Sequence, residues 1–259
     1  MTASIHSVHR LSRLSAGIAF IFIATIAAAQ PAAVSYKLTG DVGAAAYSTQ
    51  SVIRSRGNDT TLLPYAFADY GPFFVRVDTV GFKALPLGNG YLELIGRVSQ
   101  DGWRANTAAL AGLKDRKTPI PIGVGTFQQT SYGAFFFNAF VDAGASRGAL
   151  IEATYAAEVK LGSLSLYPQL GLERRSAKYA NYLYGVTPSE SLASGYGVYS
   201  PGASTTPVLG LAADYSITEN WVINMQLRRK WLDSAVTNSP LVVRKTQDTG
   251  YIGLSYRFK

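Results

Sequence analysis

Histidine is the side chain whose ordinary pKa suits proton transfer near neutral pH, and this 259-residue sequence has two, His6 and His9. Both precede an apolar stretch, Leu14 to Ala28, that follows Arg10 and Arg13 and ends in Ala27-Ala28-Ala29. A basic start, a short apolar run and a small-residue site are the marks of an export signal, cleaved here before Gln30. The run is short for a membrane span of about 20 residues. Residues 1–29 are therefore expected to be a signal peptide and 30–259 one domain without histidine. With no cysteine, disulfides and thiolate metal sites are excluded. No Ser, Lys or Asp has a recognisable catalytic partner at motif spacing, so the expectation is a protein that is not an enzyme and takes no cofactor or metal. Gly123/Gly125 and Gly195/Gly197 lack the third glycine and the helix of a phosphate loop, and read as strand or turn glycines.

The remaining candidates are charged side chains at alternating positions. Arg76, Asp78, Glu93, Arg97, Glu152, Glu158, Lys160 and Glu173 all fall on the polar parity of their segments. Successive side chains of a strand point to opposite faces. From Ala149 to Leu161 the odd positions are apolar, while Glu152, Thr154, Glu158 and Lys160 occupy even ones. Leu164, Leu166, Leu170 and Leu172 likewise oppose Ser165, Gln169, Glu173 and Arg175, and Ile252, Leu254, Tyr256 and Phe258 oppose Gly253, Ser255 and Arg257.

A soluble sandwich would turn the apolar rows inward, whereas a transmembrane barrel turns them toward lipid and its polar rows toward the lumen. Segment length, about 10 residues as a tilted span requires, favours the barrel. So do the aromatics at segment ends, Tyr70, Phe73, Trp221, Trp231 and Tyr256 among them. Only 15% of residues are charged against 12% aromatic, fewer charges than the roughly 25% of soluble domains.

Alternation and turn signals predict strands at 36–48, 61–70, 72–83, 89–99, 120–129, 131–142, 147–161, 163–175, within 179–200, and at 204–217, 219–232 and 246–258. The fold class is thus an all-β, transmembrane, antiparallel up-and-down barrel of twelve strands, or ten given the weakness of 179–200. With both termini in the periplasm, the 232–246 loop lies outside the cell. The same parity puts Gln100–Thr118 in the periplasm, where turns are normally short. Opposite charges alternating along single strands (Arg76/Asp78, Glu158/Lys160, Glu173/Arg175) favour a plugged lumen over a small channel. Arg229 falls on the lipid-facing parity and is expected near the interface. The basic clusters, Arg174/Arg175/Lys178 among them, accompany no nucleic-acid fold, so nucleic acid is not an expected partner. They fit either solvated loop ends or contacts with lipopolysaccharide phosphates.

The run Tyr184-Gly-Val-Thr-Pro-Ser-Glu-Ser191 resembles a segment typical of the MipA/OmpV family of outer-membrane proteins. Asp233, the Ser239-Pro-Leu-Val242 loop, the closing Gly253-x-x-Tyr256-x-Phe258 and, earlier, Leu63-Pro-Tyr65 are similar to that family too. The glycine that the family often has before Asp233 is missing. The resemblance implies a scaffold in the bacterial outer membrane that links a lytic murein transglycosylase to a murein synthase, with outer-membrane lipid and lipopolysaccharide around it. A family of this kind carries no assigned catalytic residues. On this reading the basic residues Lys114, Arg116 and Lys117 are the expected partner contact. The rival reading is a narrow pore for small polar solutes.

Overall fold

The computed structural model describes residues 35–259; the expected signal peptide lies outside them. Twelve strands, each antiparallel to its neighbours, close into a ring: β1 Thr39–Thr49, β2 Asp59–Tyr70, β3 Phe73–Arg76, β4 Thr79–Leu87, β5 Gly90–Arg97, β6 Pro121–Thr130, β7 Gly133–Asp142, an interrupted β8 (Ala149–Ala156 and Val159–Leu161), β9 Leu164–Arg175, β10 Ser204–Ser216, β11 Trp221–Trp231 and β12 Thr246–Phe258. Both parts of β8 pair with β9, as Ala156↔Gln169 and Val159↔Leu166. β1 pairs with β12 from Gly40↔Phe258 to Thr49↔Thr249, which closes the barrel and removes the free edges of an open sheet.

The side chains point as the alternation requires of a membrane barrel. Leu172 and Leu254, on the outer face, are 53% and 48% exposed, while Glu173 and Ser255, next to them in sequence and facing inward, are 3% and 0% exposed. A row of bare Leu and Ile on the outside of a closed barrel is stable only against acyl chains. Outward aromatics crowd the end that carries the termini: Trp221 and Tyr256 meet edge-on at 5.5 Å, and Phe73 and Phe82 at 5.4 Å.

Two expected strands come out differently, and the differences cancel in the count. The single strand expected at 72–83 is a hairpin, β3–β4, that reverses at Val77 and Asp78, with Val77 at φ 59°. The strand expected within 179–200 is two helices, α1 Ala177–Tyr184 and α2 Pro188–Ser194. Ser176 caps α1, its hydroxyl accepting from the Tyr179 N–H. Thr187 and Glu190 form a reciprocal capping box on α2, with Pro188 in the first turn. Between Val77 and these helices the parity of every strand is therefore inverted relative to the sequence reading.

The consequence is topological. Turns at 71–72, 88–89, 131–132, 162–163 and 217–220 occupy the end that holds the termini. The long segments 50–58, 98–120, 176–203 and 232–245 all gather at the other end. Bacterial barrels put short turns in the periplasm and long loops outside, so Gln100–Thr118 moves from the periplasmic side, where the sequence reading had placed it, to the outer one.

Candidate functional site

The four long segments fold into a cap with its own apolar core. Val52, Trp103, Leu110, Leu183, Val236 and Leu241, drawn from all four, are buried together over wall residues Ile95, Phe140 and Leu150. Each fully buried side chain of this size contributes about 1.5–3 kcal/mol relative to exposure. Cross-links tie segment to segment. The Trp103 indole N–H donates to the Leu183 carbonyl at 3.0 Å, the Ser239 hydroxyl to the Tyr184 carbonyl at 2.6 Å, and the Tyr199 hydroxyl to the Ala235 carbonyl at 2.9 Å. Ile53 bridges to Val242, and Val186 to Tyr199.

The polar centre of the cap is Glu190. Arg116 grips it with both guanidinium nitrogens, Nη1 to Oε1 at 2.8 Å and Nη2 to Oε2 at 3.1 Å. The backbone N–H groups of Lys114 and Thr187 and the Thr187 hydroxyl complete its shell at 3.0, 3.0 and 2.9 Å. Burial alone would raise the Glu190 pKa, but these five donors outweigh it and hold the group at about 2. Its folded value thus lies below the ordinary 4.5. Its stabilisation is complete above about pH 4.5 and is lost as pH falls toward about 2. Asp233 is shifted the same way by the N–H groups of Thr205 and Ala235. Acidification through that window is therefore expected to loosen the cap, read as a red shift of Trp103 emission in a variant with Trp221 and Trp231 changed to Phe. An emission that stays flat down to pH 2 would contradict it.

Three of the five motifs that carried the family resemblance belong to this cap; residues 63–65 and 253–258 lie in the wall, in β2 and β12. Gly185 lies so close to the preceding turn that a Cβ would stand 2.5 Å from the Asn181 carbonyl oxygen. Val186 forms the bridge to Tyr199, Thr187 and Glu190 form the capping box, and Asp233 caps the short helix α3, Ser234–Thr237. Ser239 and Leu241 are buried in its core. These three motifs thus encode a lid across the barrel mouth.

Below the cap the lumen is crossed by layered ion pairs. In the top layer Arg175, 2% exposed, reaches Asp101 at 3.2 Å and Glu173 at 2.9 Å, and its Nη1 donates to the Tyr184 hydroxyl at 3.2 Å. Lys230 closes on the other oxygen of Glu173 at 2.7 Å. Arg97 pairs with Glu152 and lies 3.7 Å from Asp78 in the next layer. Arg76 pairs with Glu93 at 3.0 Å and stacks on the Phe74 ring at 3.8 Å. Among the described residues the lumen holds a cavity of about 150 Å³ under the cap and another of about 590 Å³ reaching the Thr130–Gly133 turn. Arg97, Asp78 and Glu152 border both.

Six of the eight expected lumen residues, Arg76, Asp78, Glu93, Arg97, Glu152 and Glu173, come together in this way. Arg76 takes Glu93 and Asp78 faces Arg97, both across to another segment, whereas Glu173 and Arg175 pair along β9 itself. Glu158 and Lys160 do not join. They pair with each other at 3.4 Å, exposed beside the interruption in β8 at the turn end. Arg175, read both opposite Glu173 along its strand and within a basic cluster, is the most deeply held cation of the lumen; Glu190 figured only in the family motif, and Asp101 was not singled out. Arg116 is a structural group rather than a partner contact, being 8% exposed and bound to Glu190. Lys114 and Lys117 remain exposed, at the cap end. Arg229 points outward as expected and pairs with Asp248 at 2.7 Å.

A closed barrel with lipid-facing apolar rows, short turns at one end and a folded cap at the other is an outer-membrane β-barrel. The model of the family described as MltA-interacting protein MipA matches residues 42–258, and the chain belongs to that family. It is 28% identical over 221 residues to the outer membrane protein YiaT of Escherichia coli (strain K12), covering 84% of this chain and 90% of that protein. It is 29% identical over 147 residues to the MltA-interacting protein of the same strain, covering 56% and 59%. Omp26La, an outer membrane protein of Vibrio anguillarum, is 27% identical over 164 residues, 62% of each chain. Among solved structures, Neisserial surface protein A aligns over 85% of this chain and 97% of its own at 12% identity, with a TM-score of 0.29. The chain is thus a protein of the bacterial outer membrane, like its named relatives.

Proposed function

We propose that this barrel is a non-enzymatic scaffold that holds murein-remodelling enzymes, a lytic transglycosylase and a synthase, against the inner surface of the outer membrane. What supports the reading is that the outer mouth is shut by the cap and the lumen is tied across by Arg175, Arg97 and Arg76, which disfavours free passage of solutes. The relative named MltA-interacting protein points to the same class of partner. The sequence has no histidine beyond His9, so the commonest proton-transfer group is missing from the barrel.

The contact surface then belongs to the turn end, where Tyr132 is 82% exposed in the β6–β7 turn and Glu219 is exposed in the β10–β11 turn. Lys114 and Lys117 face the other way. Co-purification with a lytic transglycosylase of the same cell is expected to survive Lys114→Glu with Lys117→Glu and to fall on Tyr132→Glu with Glu219→Lys. The opposite pattern would place the partner at the cap and overturn this assignment.

A further inference from the structure

The barrel wall is not of even height. β2 runs from Asp59 to Tyr70, but β3 pairs with it only from Phe67↔Arg76 to Tyr70↔Phe73. The β3–β4 hairpin has already turned back, at Arg76↔Thr79, and β5 stops opposite it at Thr79↔Arg97. Above that level β2 is bonded to β1 on one side, and on the other, among the described residues, only the Val77 N–H reaches it, at the Ala66 carbonyl, 2.7 Å away. The upper half of β2 thus borders a notch.

The backbone groups of one strand residue point to one side, and successive residues alternate. Since Ala66 faces the notch, Pro64, Leu62 and Thr60 face it too. Pro64 has no N–H to leave bare, a usual way of blunting a strand edge. Leu62 and Thr60 keep both donor and acceptor. Bare edges do not persist in hydrocarbon, so something polar must meet them. Yet the mouth is apolar: Leu62 is 74% exposed on one flank and Val98, whose N–H holds the Asp78 carbonyl, 64% on the other. The head of the notch is basic. Arg56 binds Asp59 at 3.2 Å and the Arg104 carbonyl at 3.3 Å, and the Arg104 side chain is exposed with no ion pair among the described residues.

An apolar flank, unpaired backbone groups and cations at the outer end match one kind of molecule in order of depth: acyl chain, amide and hydroxyl groups, phosphate. We propose that the notch is a lateral seat for the phosphorylated glycolipid of the outer leaflet, with an acyl chain along Leu62, Pro64 and Val98 and a phosphate at Arg104 and Arg56. The seat does not depend on the murein-tethering role, only on the cap facing outward.

The test is lipid binding to the full chain in detergent by native mass spectrometry, with lipid A, dephosphorylated lipid A and phosphatidylglycerol as probes. Lipid A is expected to bind one to one, and Arg104→Glu to weaken it about tenfold, as loss of a charge-assisted contact does. Leu62→Trp, which crowds the mouth, is expected to weaken it too. Arg147→Glu, an exposed cation on the β7–β8 loop, is expected to leave it unchanged, and all variants should keep wild-type heat modifiability. Failure of lipid A to bind would overturn the proposal. So would equal binding of phosphatidylglycerol or of the dephosphorylated form, or equal effects of Arg104→Glu and Arg147→Glu.

Discussion

Replacing Arg116 with alanine is expected to open the cap. The change leaves Glu190 buried with its charge uncompensated and takes two further bonds, to the Lys114 and Gly185 carbonyls, with it. Breaking a buried pair by removing one partner costs about 3–5 kcal/mol. The barrel itself should survive, because no strand hydrogen bond depends on Arg116. The loss should therefore appear as selective protease cleavage within 98–120 and 176–203 in a protein still folded in the membrane. Changing both partners to leucine should restore most of the resistance, since an apolar replacement of a whole buried pair is often neutral. A cap as resistant in the single variant as in the wild type would show that the pair does not hold it shut.

The second large effect concerns the lumen. β9 and β10 pair all the way to Arg175↔Ser204, so 177–203 can be replaced by a short Gly/Asn turn without disturbing the wall. That deletion removes Tyr179 and Tyr184 from beside Arg175 and Glu190 from Arg116. The 98–120 segment loses its seat, and water reaches the two cavities beneath. In planar bilayers the native protein is expected to be electrically silent and the shortened one to conduct. Conductance by the native chain would favour the narrow-pore reading, and silence of the shortened one would mean that the ion pairs alone seal the barrel.

What the sequence disclosed and what it hid follow from one physical distinction. The period-two rows of β9, β11 and β12 are long, and lipid on one side and water on the other keep their alternation clean, so orientation and most lumen charges could be read directly. The β3–β4 turn could not. Phe73, Val75 and Val77 continue an apolar row, and Val77-Asp78 has neither glycine nor asparagine to mark a left-handed residue. The helices of the cap did carry a signal, Thr187-Pro188-Ser189-Glu190, which is a capping box with proline in the first turn. A strand is nonetheless the sequence expectation within 179–200, because the segments on both sides alternate. Arg175 and Asp101 meet across 74 residues. No local spacing announces such a contact, because it exists only once the 98–120 segment folds inward over the lumen.

The account rests on which face of each strand looks at lipid, and the absence of native cysteine makes that directly measurable. Single cysteines placed one by one from Leu164 to Arg175 in β9, labelled with a fluorophore and exposed to a quencher buried in the bilayer, should be quenched at Leu166, Leu170 and Leu172 and spared at Tyr167, Gln169 and Glu173. Uniform sparing in a protein that stays in solution, or quenching of the Gln169 and Glu173 positions instead, would contradict it.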